Sequence, residues 1–105
     1  MRPPLSITYK GKTESIIRGF PPPVVERFAY DLEAISYGQK PASSSKQMNG
    51  FSKNVIELRK NGKPAYRLIY TIIGDTIFVI HAFVKSSVGT DKKHESTIKL
   101  RLSSL

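Results

Sequence analysis

The fold is decided by residues 65–85, AYRLIYTIIGDTIFVIHAFVK, which form the most apolar part of the chain. Apolar side chains alternate through both halves of this stretch, and Gly74-Asp75 between them is typical of a tight turn. We therefore predict two antiparallel strands. Three side chains interrupt the pattern at positions where another aliphatic residue would fit: Arg67, His81 and Lys85.

Weaker patterns predict the flanking strands and the last helix. Residues 5–9 alternate as a half-buried strand does, and residues 55–59 open another strand before the turn at 60–64. Residues 40–53 are polar and rich in turn formers, so we expect a surface loop there. A final helix capped by Thr90 or Asp91 is expected to have an apolar edge, formed by Ile98, Leu102 and Leu105.

Two helices are predicted between the first two strands. The first has Thr13 as a possible cap, and its expected apolar face is formed by Ile16, Ile17 and Phe20. The second is expected over residues 24–37, because four apolar residues recur there at helical spacing: Val24, Phe28, Leu32 and Ile35. Prolines 21–23 suit its first turn, and Gly38 suits its C-terminal end. The order β-α-α-β-β-β-α predicts one α+β domain over residues 1–105, with an antiparallel sheet of three or four strands and the helical hairpin on one face.

Composition restricts the classes of partner and cofactor. The 105 residues contain no Cys and two His, so neither disulfides nor a metal site is predicted, and no cofactor is expected. No apolar run reaches the roughly 20 residues of a membrane helix, and the N-terminus lacks the apolar core of a signal peptide. We expect a soluble, cytoplasmic protein without a membrane partner. The net charge of +9 favours a polyanion such as nucleic acid, although an acidic protein would also satisfy it.

The alternation assigns the residues of the central strands to two faces. One face is apolar and can be covered by the helical hairpin: Ile56, Leu58, Leu68, Tyr70 and Ile72. The other is mixed and is expected to be uncovered: Val55, Glu57, Arg59, Arg67, Ile69 and Thr71. A turn centred near Lys63 would place Arg59 opposite Arg67, where two like charges need an anion between them. Glu57 and a bound phosphate are both possible anions.

The face of His81 and Lys85 depends on the turn at Gly74. A two-residue turn would place both residues on the face opposite to Arg67, whereas a three-residue loop would place all three on one face. We expect the longer loop, because an ammonium group on the core face is costly. A lone histidine in an apolar strand is more often a hydrogen-bonded core residue than a catalyst, so His81 keeps both interpretations.

Several short motifs follow one another in a characteristic order. After the first strand and the proline before the long helix come Gly38-x-x-Pro41, Lys46-x-Met48-x-Gly50, Val55-x-Glu57-Leu58-Arg59, Tyr66-Arg67-x-x-Tyr70, His81-Ala82-Phe83-x-Lys85 and Thr90 before a basic helix. In this order the chain resembles the RelE/ParE toxin superfamily, and specifically its phage-derived HigB-like branch. The resemblance runs along nearly the whole chain and implies the same fold as the patterns above.

The resemblance also implies a function. Like members of that branch, the chain is implied to be the toxin of a type II toxin-antitoxin system, an endoribonuclease that cuts mRNA on the translating ribosome and is silenced by a cognate helix-turn-helix antitoxin. Carried to this chain, Arg67 would steady the scissile phosphate, and Arg59 and Lys85 match further positions of the family's motifs. RNA cleavage without metal also needs proton transfer, for which Lys85 beside two arginines is a usable base, while His81 stays divided between proton transfer and structural hydrogen bonding. Six further basic residues are expected to bind RNA: Lys46, Lys53, Lys92, Lys93, Lys99 and Arg101.

The chain departs from the family pattern after Lys85. The family usually continues with a second Lys and Thr, then Gln, Lys, Thr and Pro, whereas this chain has Ser86-Ser87-Val88-Gly89-Thr90-Asp91. The departure removes positive positions, so a second interpretation stands beside the first. In this second interpretation, the protein is a binding module of the same fold without nuclease chemistry. Such a module would be directed at gyrase or RNA, or would be a degenerate toxin.

Overall fold

A computed structural model of the protein describes residues 3–85 and 92–105, without the side chain of Lys92. Within these residues the elements are β1 (Ser6–Tyr9), α1 (Thr13–Arg18), α2 (Pro22–Ser36), β2 (Ser44–Met48), β3 (Val55–Lys60), β4 (Ala65–Ile73), β5 (Thr76–Lys85) and α3 (Lys92–Ser103). The predicted cap of the last helix, Thr90 or Asp91, lies outside the described residues.

The strands form a single sheet in the order β1-β5-β4-β3-β2. The α+β class is confirmed, as is the antiparallel pairing of β3, β4 and β5, in which Arg59 stands directly opposite Arg67. The predicted count of three or four strands was wrong, because the described sheet has five. It is also mixed rather than purely antiparallel, because β1 lies parallel to β5 with Ile7 opposite Ile77.

The expected loop over residues 40–53 contains an edge strand instead. Ser44–Met48 pairs antiparallel with β3, and its side chains are exposed up to Met48. An edge strand with solvent around it needs no apolar alternation, so the polar sequence concealed it. The carboxylate of Asp31, fully buried on α2, fixes the start of this strand, because its Oδ1 accepts the backbone N–H groups of Ala42 and Ser43 at 2.8 and 3.2 Å.

The helical hairpin covers one face of the sheet and forms the larger core. The four predicted α2 residues, Val24, Phe28, Leu32 and Ile35, are all buried in it, together with Leu58, Leu68 and Tyr70 from the sheet. Gly38 ends α2 as predicted, with φ of 75°, which places it in the left-handed region that favours glycine. Two residues assigned to this core are exposed instead, Ile16 on α1 and Ile72 near the end of β4.

Thr13 is not the cap of α1 but its first helical residue, and its side chain is fully buried. Its hydroxyl lies 2.6 Å from the carbonyl oxygen of Lys10 and 3.1 Å from that of Ile80. The threonine therefore ties α1 to β5 instead of satisfying the helix end.

The second face of the sheet is covered as well, which the sequence did not predict. A smaller core lies there, where Val55, Ile69 and Ile80 pack against Ile98 and Leu102 of α3. The predicted apolar edge of the last helix is thus confirmed at Ile98 and Leu102. The expectation that this face is uncovered was wrong, because α3 folds back over it.

A β-bulge decides which side chains of β5 join this second face. The turn at Gly74-Asp75 has two residues, with Ile73 opposite Thr76, so the expected three-residue loop was wrong. The pairing then shifts between Ile69 and Tyr70: Tyr70 faces Val79, whereas Ile69 faces His81, which leaves Ile80 as the extra residue. The bulge has the same effect as the longer loop. Arg67, His81 and Lys85 share one face.

Candidate nucleic-acid interface

Three rows of paired residues make up the charged part of the second face. The first row runs across four strands, with Lys46, Glu57, Ile69 and His81 side by side. The next row contains Ser44, Arg59, Arg67 and Phe83, and the last pairs Ala65 with Lys85. Residues brought together in these rows come from positions up to 39 apart in the sequence. The strand register thus places the cations in neighbouring positions.

The rows open into a cleft of about 240 Å³ between the sheet and the start of α3. Its basic lining residues are Lys46, Arg59 and Lys85, one from each of three strands, and its acidic ones are Glu57 and Glu95. Since a water molecule takes about 30 Å³ of liquid, the cleft can admit a group of the size of phosphate. It combines three cations with two carboxylates.

Glu57 lies between the two arginines. Its Oε1 accepts a hydrogen bond from Nε of Arg59 at 2.7 Å, and Nε of Arg67 lies 3.9 Å from the same oxygen. Of the two anions that the sequence allowed between the like charges, Glu57 and a bound phosphate, the carboxylate of Glu57 occupies this position.

Arg67 is buried, with 7% of its surface exposed, which corrects the expectation of an arginine on an open face. Its Nη1 donates to the carbonyl oxygen of Tyr66 at 3.1 Å, but its buried Nε has no hydrogen-bond partner. Burial lowers the pKa of the Arg67 guanidinium from its ordinary value, and Arg59 adds to this effect while Glu57 opposes it. Arg67 thus carries a charge and an unsatisfied donor beside two residues that line the cleft, Glu57 and Arg59.

His81 belongs to a different cluster, at the junction of β5 and α3. Nη1 of Arg101 lies 3.3 Å from its Nδ1, and its Nε2 lies 2.8 Å from Nδ1 of His94. Because arginine can only donate, Nδ1 of His81 accepts, and the ring proton stands on Nε2, where it is donated to His94. Burial first, and then His94 and Arg101, lower the pKa of His81 to about 4. His81 is therefore a neutral side chain that ties α3 to the sheet, and it does not line the cleft.

The six predicted RNA-binding residues are distributed unevenly. Lys46 lines the cleft, and Lys53, Lys93 and Lys99 are exposed. The side chain of Lys92 lies outside the described residues. Arg101 points inward, because its Nη1 donates to the carbonyl oxygen of Ile80 at 2.7 Å and to Oγ1 of Thr13 at 3.0 Å. The assignment of Arg101 to RNA overlooked this internal role.

Sequence reasoning missed the residues that α3 contributes. Glu95 lines the cleft, and His94 stacks on Phe83 with ring centroids 3.9 Å apart. No spacing in the sequence could have indicated them, because their position depends on where α3 packs. Phe51, which follows β2 and also lines the cleft, was not predicted either, because no local pattern shows that the loop after β2 reaches the cleft.

No group of three or more metal-ligating side chains is clustered in the described part of the chain. The same residues include no helix that is long and apolar enough to cross a membrane.

A comparison with known protein families shows which family the chain belongs to. The family model of the phage-derived Gp49-like proteins matches residues 15–103. The chain belongs to this family. The predicted resemblance to the phage-derived, HigB-like branch of the RelE/ParE superfamily is thereby confirmed.

The fold agrees with this membership. A solved structure of E. coli toxin RelE, a variant with two arginines replaced by alanine and in the free state, is similar with a TM-score of 0.64. The match covers 93% of this chain and 98% of RelE at 16% sequence identity, so it shows a RelE-like fold. No curated protein matches the sequence.

Proposed function

We propose that this Gp49-like protein is the toxin of a type II toxin-antitoxin system, and that it inhibits translation by cutting mRNA on the ribosome. The observation that carries the proposal is the cleft, in which Lys46, Arg59 and Lys85 converge from three strands, with the buried Arg67 paired to Arg59. Cations gathered from separate strands at one depression suit a phosphodiester better than a diffuse basic surface would.

The charge distribution supports an orientation on RNA. The helical hairpin, residues 13–36, contains four acidic and two basic side chains, a net charge of −2. With a total of +9, the remaining residues carry +11. The cleft opens on the side away from the hairpin, so the electrostatic attraction of a polyanion directs this side toward RNA.

The reaction expected at the cleft is attack of a ribose 2′-hydroxyl on the adjacent phosphorus. Arg59 and Arg67 would stabilise the charge that develops on the phosphoryl oxygens. Lys85 and Glu95 line the same cleft and are the candidates for proton transfer to and from the ribose oxygens. We do not assign this role to His81, because its two ring nitrogens face His94 and Arg101.

The partner expected for such a toxin is a helix-turn-helix antitoxin with an acidic, partly extended segment. Such a segment would neutralise the basic side that RNA otherwise contacts. Binding should weaken as salt is raised. A neighbouring gene product that fails to co-purify, or that binds with no dependence on salt, would contradict this part of the proposal.

The proposal is tested with the purified protein in a translation extract containing one reporter mRNA. Cleaved fragments mapped by primer extension should appear while ribosomes translate, and should be absent when the mRNA is naked or initiation is blocked. Arg59→Ala should remove the fragments, whereas Arg27→Ala on the outer side of α2 should not. An intact mRNA at protein concentrations that stop growth on induction would refute the nuclease.

The second candidate, a binding module of the same fold, is favoured by one observation. Both arginines of the site face Glu57, and Arg67 is buried, so neither is free in the described structure to meet a phosphate. In the same extract a binding module would leave the mRNA whole while still binding its partner.

A further inference from the structure

Glu57 has the position of a bound anion. It is flanked by Arg59 through the 2.7 Å hydrogen bond, by Arg67 at 3.9 Å, and by Lys46, which stands directly across the strand pair. Two arginines thus contact one carboxylate that is itself buried, with 7% of its surface exposed, and a third cation stands at the neighbouring register position. Within the sheet this is the place where an external phosphate would be most strongly attracted.

The carboxylate fills this place incompletely. A single oxygen, Oε1, faces both arginines, and it reaches hydrogen-bonding distance of Arg59 alone. Nε of Arg67 is left as a buried donor without a partner, a state that proteins generally avoid because the lost hydration is not replaced. Arg67 is fixed on its other side by the bond to the Tyr66 carbonyl, so the guanidinium is held in place with Nε unused.

A phosphate group is the better occupant on chemical grounds. A planar carboxylate offers two oxygens in one plane, whereas a tetrahedral phosphate offers several acceptors in different directions and can serve Arg59 and Arg67 together. The neighbouring cleft admits it from the side of Lys46 and Lys85. Such an exchange would move Glu57 away from Arg59 and would satisfy the unused Nε of Arg67.

The geometry points to Glu57 as an internal competing ligand: it occupies the two-arginine site in the free protein and must be displaced for a phosphate group to bind. The inference rests on the proposed function for the identity of the natural phosphate, an RNA phosphodiester. The competition lowers the affinity for isolated phosphate groups. It selects for ligands that gain additional contacts in the cleft, as a nucleotide chain does.

The test uses the full chain and two probes that cannot be cleaved, inorganic phosphate and a 2′-O-methyl RNA trinucleotide. Binding is followed by NMR through the Nε–H signals of the arginines and the side-chain carbonyl carbon of Glu57. Glu57→Gln removes the competing charge and should bind both probes about tenfold more tightly than the wild type, as expected for loss of one charged hydrogen bond. A Glu57→Gln variant that is folded and binds either probe equally or more weakly would overturn the inference.

Two matched controls isolate the effect. Glu14→Gln also breaks a Glu–Arg pair, the 3.0 Å contact with Arg18 on α1, but far from the cleft, and should leave both affinities unchanged. Glu95→Gln removes the same charge from the cleft without touching an arginine pair, and its gain should be clearly smaller than that of Glu57→Gln. Equal gains in the two cleft variants would mean that only the net charge matters, and would overturn the inference.

The wild-type protein supplies a measurement that does not depend on a variant. Titration with phosphate should shift the Glu57 carbon and the Nε–H of Arg67 together, at one midpoint. Shifts confined to Lys46 and Lys85, with Glu57 unmoved, would overturn the inference even if Glu57→Gln fails to fold. Because the probes have no reactive 2′-hydroxyl, failure of mRNA cleavage in the extract leaves this result intact, and the proposed function can fail separately.

Discussion

The two faces of the sheet differ in the kind of side chain they carry, although both are formed mainly by β3, β4 and β5. Under the helical hairpin, neighbouring apolar side chains pack without interruption around Leu58 and Leu68, both fully buried. Under α3, an apolar half around Ile69 and Ile80 adjoins a charged half that contains Glu57 and Arg67. The first face forms the larger core, whereas the second also carries the residues of the candidate site. One helix, α3, therefore contributes both to the stability of the second face and to the candidate site.

The largest expected effect compares adjacent residues of β4 that point to opposite faces. Leu68→Ala and Ile69→Ala each remove a side chain with no exposed surface, so each should cost about 2–5 kcal/mol of unfolding free energy. Leu68→Ala should lower the stability of the whole domain. In Ile69→Ala, α3 should detach from the sheet before the rest of the domain unfolds. Hydrogen exchange should therefore be faster in residues 94–103 than in α2. Equal exchange in both helices of the Ile69 variant would contradict the separation into two cores.

The histidine cluster gives the second face a dependence on pH. The pKa of His81 is lowered to about 4 in the folded protein, against an ordinary value near 6.5, so the unfolded chain binds the proton more readily. Its contribution to stability is complete above about pH 6.5 and is lost as the pH falls toward 4. The total loss is about 3 kcal/mol, from the linkage of one such group.

Chemical unfolding of the wild type and His81→Asn between pH 4 and 7 measures this contribution. The variant has lower stability at pH 7 but should lose less of it on acidification. His94 and Arg101 face His81 from α3, so His94→Asn is the necessary companion variant. Parallel pH profiles for the wild type and His81→Asn would contradict the prediction.

Arg67 should affect both stability and catalysis. If it stabilises the transition state, Arg67→Ala should cleave mRNA at least about a hundredfold more slowly, as for loss of one preorganised donor. Arg67→Lys should recover little of the cleavage rate, since the point charge of an ammonium group does not replace the paired N–H donors of the planar guanidinium. Because Arg67 is buried beside Glu57, its removal should also lower stability by about 1–3 kcal/mol, so thermal unfolding must accompany every rate. Full activity in Arg67→Ala would refute the catalytic role.

The smallest effect is expected at the rim of the cleft. Lys85→Ala and Lys46→Ala should change stability by less than about 0.5 kcal/mol, since neither side chain is buried. Each should weaken RNA binding and reduce the salt dependence of log Kd by about one unit of slope, as for loss of one phosphate contact. Lys12→Ala, an exposed lysine before α1, is the control with the same loss of charge. An equal change in Lys12→Ala would show that net charge alone determines RNA binding.

Local patterns were sufficient wherever a residue's neighbours in sequence set its environment. The alternation in β3 and β4 predicted the two faces, and the midpoint at Lys63 predicted that Arg59 and Arg67 are opposite each other. Helical spacing predicted the buried residues of α2, and Gly38 its end. These features follow from the periods of strand and helix and from the conformational freedom of glycine, which are properties of short segments.

The remaining features depended on contacts between distant parts of the chain. The parallel position of β1, the edge strand held by Asp31, the bulge at Ile80 and the packing of α3 over Ile69 each join residues far apart in sequence. No local period encodes them, because a strand's pattern shows which side chains share a face but not what covers that face. The sequence by itself determined that Arg59 and Arg67 are opposite each other on one face. The tertiary structure alone decided that one of them is buried, with a carboxylate already beside it.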